Sequence, residues 1–267
     1  MNKTHIFTRA ILRKPAKSFV NAIAQSADRQ KPNYEESIAE YNEYAHALKR
    51  MGVDIFVVDA DENFPDGNFV EDTHLVLDDK IIIELNPGAA SRAAEPMSLS
   101  RFLPTNMPRV TLDKQFTIDG GDILQDGKII YAGISNRTQQ EAINQLAKIV
   151  EPLGYQVKAI KVPQGLHLKS GMTCMMANHF VIQQSFENIL KKMQLENRDI
   201  KYFIVPPEED FAANVLSFNG KIMIASGCPI TKKYISSYYD AEDIYEVDTV
   251  QVRLVDGALT CSCLLLK

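Results

Sequence analysis

The chain has 267 residues, 45% hydrophobic and 24% charged, ordinary proportions for a globular protein. A net charge of −5 gives no electrostatic reason to expect nucleic acid or an anionic membrane as partner, and no apolar run reaches the length of a membrane-spanning helix. The cysteines at 174, 228, 261 and 263 show neither zinc-ligand spacing nor a disulfide framework, and residues 1–7 hold no signal-peptide core, so the expected setting is the reducing cytoplasm.

A first strand is expected over residues 4–9, followed by a loop or short helix over 15–25 and a polar loop over 31–34. Residues 34–51 read as an amphipathic helix with Ile38, Tyr41, Ala45 and Leu48 on one stripe, ended by Gly52. Residues 54–59 read as a buried strand by composition. The helix-then-strand order returns at 139–153 with 157–162, and again at 185–195 with 202–205.

A second pattern recurs beside it. Residues 73–83, 122–131 and 214–224 each read as strand, tight turn, strand, and 172–182 is a degenerate copy. Asp-Gly and Asn-Gly suit two-residue hairpin turns because the central positions need positive φ. The turn lysines Lys80, Lys128 and Lys221 are 48 and 93 residues apart, which gives a repeat of about 45 residues. Each unit is a hairpin, a helix and a strand. A fifth unit forms if the C-terminal Cys261 strand pairs with the Ile6-Phe7 strand. The expected fold is therefore α/β, a five-bladed α/β propeller built as a closed ring of ββαβ-type repeats, with residues 1–267 as one domain.

Polar clusters sit at equivalent places, just before or at the first strand of a hairpin: Phe69-Val70-Glu71-Asp72-Thr73, Ile118-Asp119-Gly120-Gly121-Asp122 and Leu166-His167-Leu168-Lys169-Ser170. The turn ahead of Cys261 is the fourth. Each has a bland reading: solvated turn carboxylates, a satisfied surface histidine, a buried inert thiol. Together they supply a thiol, an imidazole and carboxylates, the parts of nucleophilic catalysis with a positioned base.

Six collinear motifs carry a resemblance over nearly the whole chain. They are Phe64-Pro65-Asp66 with Phe69-Val70-Glu71-Asp72, Pro87-Gly88-Ala89-Ala90-Ser91-Arg92, Asp119-Gly120-Gly121-Asp122, Ser135-Asn136-Arg137-Thr138, Leu166-His167-Leu168-Lys169-Ser170 and Asp256-Gly257-Ala258-Leu259-Thr260-Cys261. In order and spacing the chain resembles the dimethylarginine dimethylaminohydrolases, members of the pentein superfamily of guanidine-modifying enzymes. The resemblance implies a five-bladed α/β propeller and hydrolysis of methylated arginine to citrulline through a covalent thiouronium on cysteine. It implies Cys261 as nucleophile, His167 as general acid and base, and Asp119 as the carboxylate orienting His167. Glu71 and Asp72 would line the guanidinium pocket, and Arg92 and Arg137 would hold the substrate α-carboxylate. Asp66, with backbone carbonyls near Ile23 and Val255, would hold the α-amino group, under a lid formed by residues 15–23. No metal or organic cofactor is expected. The expected partner is a small-molecule guanidine amino acid, not nucleic acid or membrane, and the expected state is a monomer or homodimer. Two alternatives stay open: an arginine deiminase-like hydrolase, in which an Asp usually stands where this chain has Lys169, and a non-catalytic propeller that binds a partner.

Overall fold

A computed structural model of the chain describes residues 6–25, 29–78 and 80–267. β1 (Arg9–Arg13) runs parallel to β2 (Asp54–Val58), and α1 (Tyr34–Arg50) joins them. The next four units share one plan: an antiparallel hairpin, a helix, and a third strand parallel to the hairpin's second. They are β3 (His74–Leu77), β4 (Ile81–Glu84), α2 (Glu95–Ser100) and β5 (Arg109–Thr111); then β6 (Ile123–Asp126), β7 (Ile129–Ile134), α3 (Gln140–Val150) and β8 (Gln156–Lys161). α4 (Leu168–Gly171) leads into β9 (Met172–Met176), β10 (His179–Ile182), α5 (Glu187–Glu196) and β11 (Lys201–Ile204). β12 (Leu216–Phe218), β13 (Lys221–Ala225), α6 (Pro229–Ile235) and β14 (Ile244–Val247) complete the set. After α7 (Val250–Arg253), β15 (Leu264–Leu266) returns antiparallel to β1, with Arg9 opposite Leu266 and Ile11 opposite Leu264. Five three-stranded sheets of the same order result.

The hairpin turns adopt the backbone their residues favour: Asp78, Gly127, Asn178, Asn219 and Gly220 all have positive φ. α1 starts at Asn33, whose side chain accepts from Glu36 N–H at 3.1 Å, and has Glu35 and Glu36 in its first turn and Lys49 and Arg50 in its last.

Buried apolar clusters join each sheet to the next. Ile11, Val58 and Leu264 meet Ile82; Leu77 and Ile83 meet Ile123 and Ala132; Leu124 and Tyr131 meet Met172 and Phe180. Met175 and Val181 meet Ile222 and Ile224, and the fifth sheet, through Leu216 and Met223, packs back on Ala10 and Leu12 of the first. One strand of every sheet, β3, β6, β9, β12 and β15, also lines a shared central cavity of about 240 Å³.

Several expectations are corrected. The first strand is Arg9–Arg13, not 4–9; its apolar run Ala10-Ile11-Leu12 is what the core takes up, and Thr4 and His5 lie outside the described residues. Likewise Phe7 packs edge-on against Phe218, while the C-terminal pairing begins at Arg9, although Thr8 N–H still bonds Leu266 C=O. Residues 54–58 form an outer strand with one hydrogen-bonded neighbour, so Phe56 and Val57 are 51% and 39% exposed. Residues 15–25 contain only a short 3-10 turn, Lys17–Asn21. Of the stripe expected on α1, Leu48 is buried and Tyr41 and Ala45 pack against the same core; the buried face also takes in Ser37, Glu40, Tyr44 and Ala47, where Glu40 accepts hydrogen bonds from Gln251 and Val252 N–H. The third expected helix starts with a 3-10 turn, Gln184–Phe186, before α5. Cys261 lies on the 3-10 turn Leu259–Ser262 ahead of β15, not within a strand. Among the described residues, no helix is long and apolar enough to cross a membrane.

Candidate active site

Four equivalent segments, each just before the first strand of a hairpin or before β15, deliver the polar residues to one place: the 3-10 turns Val70–Thr73, Gly120–Asp122 and Leu259–Ser262, and the short helix α4. Buried side chains pin them to one another. Asp122 accepts from Leu168 N–H at 2.7 Å and from the Ser135 hydroxyl at 2.6 Å, fixing α4 against the turn Gly120–Asp122. Asn214 donates to Lys169 C=O at 2.8 Å and to Thr260 Oγ1 at 3.1 Å, and accepts from Thr260 N–H at 3.1 Å. Tyr44 donates its hydroxyl to Leu259 C=O at 2.7 Å, so α1 supports the cysteine turn from behind.

His167 and Asp119 are both buried, with Nε2 2.8 Å from Oδ2. A neutral ring in this orientation carries its proton on Nε2, facing the carboxylate, with Nδ1 as its other nitrogen. Asp119 Oδ1 accepts from Gly88 N–H at 2.6 Å, and the Asp119 N–H bonds Thr138 Oγ1. The ring packs flat on Gly121, where a Cβ would lie 2.6 Å from Nδ1. Burial alone would lower the pKa of His167; the Asp119 hydrogen bond and the charges of Asp72, Asp119 and Asp122 outweigh it and leave the pKa raised.

Ile23, Asp66, Asp72, Arg92, Arg137, Val255, His167 and Cys261 line one narrow pocket, with Phe69 and Leu166 as apolar walls. Its free volume of about 20 Å³ marks it as closed, with Ile23 N–H bonded to Asp66 Oδ1 at 3.0 Å across it. Burial pushes the pKa of Asp66 up, against the pull of Arg92 and Arg137. Arg92 is buried and held rigidly. Its Nε and Nη2 face the Glu95 carboxylate at 2.8–3.1 Å, Nη2 also bonds Phe69 C=O, and Nη1 bonds Asp72 Oδ2 at 2.6 Å. Of its five N–H groups, one on Nη1 is uncommitted. Arg137 Nη1 lies 3.6 Å from Asp119 Oδ2, a loose contact that leaves its fork available. Asp72 accepts from Arg92 and from Gly121 N–H, and although burial opposes it, Arg92 and His167 draw its pKa down to about 2.

Cys261 is half-buried against Phe19, Phe69 and Val255. Burial, then the negative charges of Glu71 and Asp72, push its thiol well above the ordinary range, so the unliganded thiol is protonated. A cation bound beside it would reverse that preference.

Glu71, expected beside Asp72, is close enough to the pocket that its charge acts on the Cys261 thiol. Its carboxylate forms an ion pair with Lys169 and also lines the central cavity. The two acids are neighbours on a 3-10 turn, where successive side chains diverge by about 120°, and both charges reach Cys261. Burial raises the pKa of Glu71 to about 7 despite Lys169. Donor atoms of Asp72, Asp119 and His167 lie within 4.8 Å of one another, a set able by type to ligate a cation. Each carboxylate oxygen already accepts a hydrogen bond, however, and a guanidinium sits against Asp72, so protein groups balance the charge there.

Sequence reasoning missed Glu95 and Asn214. Asn214 occupies, before β12, the place the other clusters hold before β3, β6 and β9, so the repeat itself was the signal that could have found it. Glu95 had no such signal.

The family model for N,N dimethylarginine dimethylhydrolase, eukaryotic, matches residues 9–240. The N(G),N(G)-dimethylarginine dimethylaminohydrolase of Pseudomonas aeruginosa is 32% identical over 263 residues, covering 97% of this chain and 99% of that protein. The Streptomyces coelicolor enzyme of the same name is 27% identical over 254 residues, covering 95% of each. Among solved structures, a cysteine-to-serine variant of the Pseudomonas aeruginosa enzyme complexed with citrulline superposes with a TM-score of 0.88 at 31% identity, covering 97% of this chain and 99% of that one. The N-terminal domain of the cyanobacterial arginine dihydrolase ArgZ shares the fold, with a TM-score of 0.83 at 16% identity, covering 96% and 97%.

Proposed function

The chain belongs to the dimethylarginine dimethylaminohydrolase family, and from that footing we propose that it hydrolyses N-omega-methylated arginine to citrulline and methylamine or dimethylamine. One observation carries the reading: the His167–Asp119 pair and Cys261 meet Arg92, Arg137 and Asp66 in a single pocket. The arginines suit an α-carboxylate, and Asp66 with the carbonyls near Ile23 and Val255 suits an α-ammonium. Asp72 suits the guanidinium, and residues 15–23 would open to admit it.

The bound guanidinium cation lowers the cost of ionising Cys261, whose proton passes to solvent. The thiolate attacks the guanidinium carbon and gives a neutral tetrahedral adduct, so no oxyanion need be stabilised. His167 delivers a proton to the substituted nitrogen; the C–N bond breaks, its electron pair leaving with the amine, and a cationic thiouronium remains on Cys261. His167 then takes a proton from water, whose oxygen adds to the same carbon. Collapse breaks the C–S bond, returns the sulfur as thiolate and, as the hydroxyl proton passes to solvent, releases citrulline. Asp119 holds the imidazole in orientation through both proton transfers.

We read the five sheets as blades of a closed propeller and the chain as one domain. The cyclic order of the apolar clusters and the cavity lined by all five sheets support this. A monomeric or homodimeric cytoplasmic enzyme fits these features.

The covalent step is tested by acid-quenching the enzyme during turnover of asymmetric dimethylarginine and digesting it for mass spectrometry. A thiouronium mass increment on the peptide containing Cys261 is expected. Turnover without any such increment, on a quench fast enough to catch a competent intermediate, refutes the covalent route.

A further inference from the structure

The catalytic pocket and the central cavity share the same four segments. Asp72, His167 and Cys261 line the pocket, and Asp119 holds His167; their near neighbours Glu71, Gly120, Lys169 and Thr260 line the cavity. The Glu71–Lys169 ion pair is part of this partition. Glu71 Oε2 is buried and makes no hydrogen bond of normal geometry, although the Thr260 hydroxyl is close enough to favour the carboxylate. Beyond it the cavity is walled by apolar side chains from each sheet, among them Val76, Leu124, Met175, Leu216 and Leu265.

This placement bears on a problem that the proposed function creates, and the inference rests on that reading. While the thiouronium exists, the amino-acid portion is tied to Cys261 and held by Arg92, Arg137 and Asp66, so it blocks the way it came in. The amine has been released at the opposite end of the guanidinium. We propose that the central cavity is a binding site for small alkylammonium ions, through which the leaving amine departs past Glu71 and Lys169. The amine leaves carbon as a neutral molecule carrying the proton from His167. As a strong base it takes a second proton from solvent and becomes a cation. A cavity of about 240 Å³ with apolar walls for methyl groups and a carboxylate at its inner end matches that chemistry. No part of the partition needs to break covalently; the ion pair need only swing aside.

The test narrows the cavity away from the reacting groups. Ala177→Trp, in the turn between β9 and β10, and Leu265→Trp, on β15, each place a large ring in its wall. Release of dimethylamine from asymmetric dimethylarginine in a single turnover should slow by about tenfold, because a release step becomes limiting, while release of the smaller ammonia from arginine slows less. In the wild type, dimethylammonium chloride should inhibit noncompetitively against the methylated substrate, and Glu71→Gln should weaken that inhibition. Plugged variants with unchanged melting temperatures and wild-type rates of dimethylamine release overturn the proposal. Should neither variant fold, a competitive pattern for dimethylammonium overturns it and a noncompetitive one that Glu71→Gln abolishes supports it. Absence of citrulline from the wild type refutes the function reading itself, a different failure from wild-type turnover that the plugs do not alter.

Discussion

Replacing Asp119 by asparagine removes a charge and almost no volume. The side-chain oxygen can still accept from Gly88 N–H, now at 2.6 Å, so the fold is expected to survive. What is lost is the charge 2.8 Å from His167 Nε2. A hydrogen bond to a charged group contributes about 1.5–3 kcal/mol. If the imidazolium is present in the limiting step, that is about a 10- to 150-fold fall in kcat. Burial depresses the His167 pKa, and the Asp119 hydrogen bond is the largest influence raising it. On the proposed mechanism the protonated ring is the acid that expels the amine, so it works below its pKa. Asp119→Asn lowers that pKa, and the alkaline limb of kcat against pH must move to lower pH. The assay is citrulline formation at saturating substrate across the pH range, with melting temperature as the control for folding. Full kcat with the alkaline limb in its wild-type position, or a loss expressed only in KM, would refute the role given to Asp119.

Arg137→Ala should weaken methylated arginine far more than a methylated guanidine lacking the α-carboxylate; equal losses for both would make Arg137 structural. Asn214→Ala removes three hydrogen bonds between Lys169 and the cysteine turn, and should cut kcat with little change in KM, since displacement of about 1 Å costs about 100-fold in rate; a change in melting temperature alone would contradict this. His74 is buried with its pKa pressed down to about 3 by burial and by Arg109, from 6.5 in the open chain. The unfolded chain therefore binds the extra proton between these values. Stability on this account is complete above pH 6.5 and lost as pH falls towards 3, at up to about 1.4 kcal/mol per pH unit. Melting curves of His74→Gln should show a shallower decline over that window, and an unchanged slope would remove His74 as its cause.

The repeat was legible because its hairpin turns are written in residues that tolerate positive φ, and Gly127, Asn219 and Gly220 adopt it. The outer strands were less legible. β5 and β14 are short and carry Arg109 or Glu246 at positions facing water, so neither alternation nor an apolar run marks them. Four segments from distant parts of the chain were expected to converge because they hold equivalent places in the repeat; three line the pocket and the fourth reaches it through the Asp119–His167 hydrogen bond. The Glu71–Lys169 ion pair among them turns on side-chain direction in a 3-10 turn, which the dipeptide Glu71-Asp72 does not encode. Glu95 was hidden for another reason: it meets Arg92 three residues away on the other side of a turn, and only the folded geometry reveals a forked contact with Nε and Nη2.

The most direct measurement is citrulline release by the purified protein offered asymmetric dimethylarginine, monomethylarginine and arginine side by side, with Cys261→Ser as the blank. Release from the methylated substrates, absent from a folded Cys261→Ser protein, is the predicted result. Release chiefly from arginine, or appreciable release by Cys261→Ser, would contradict the account.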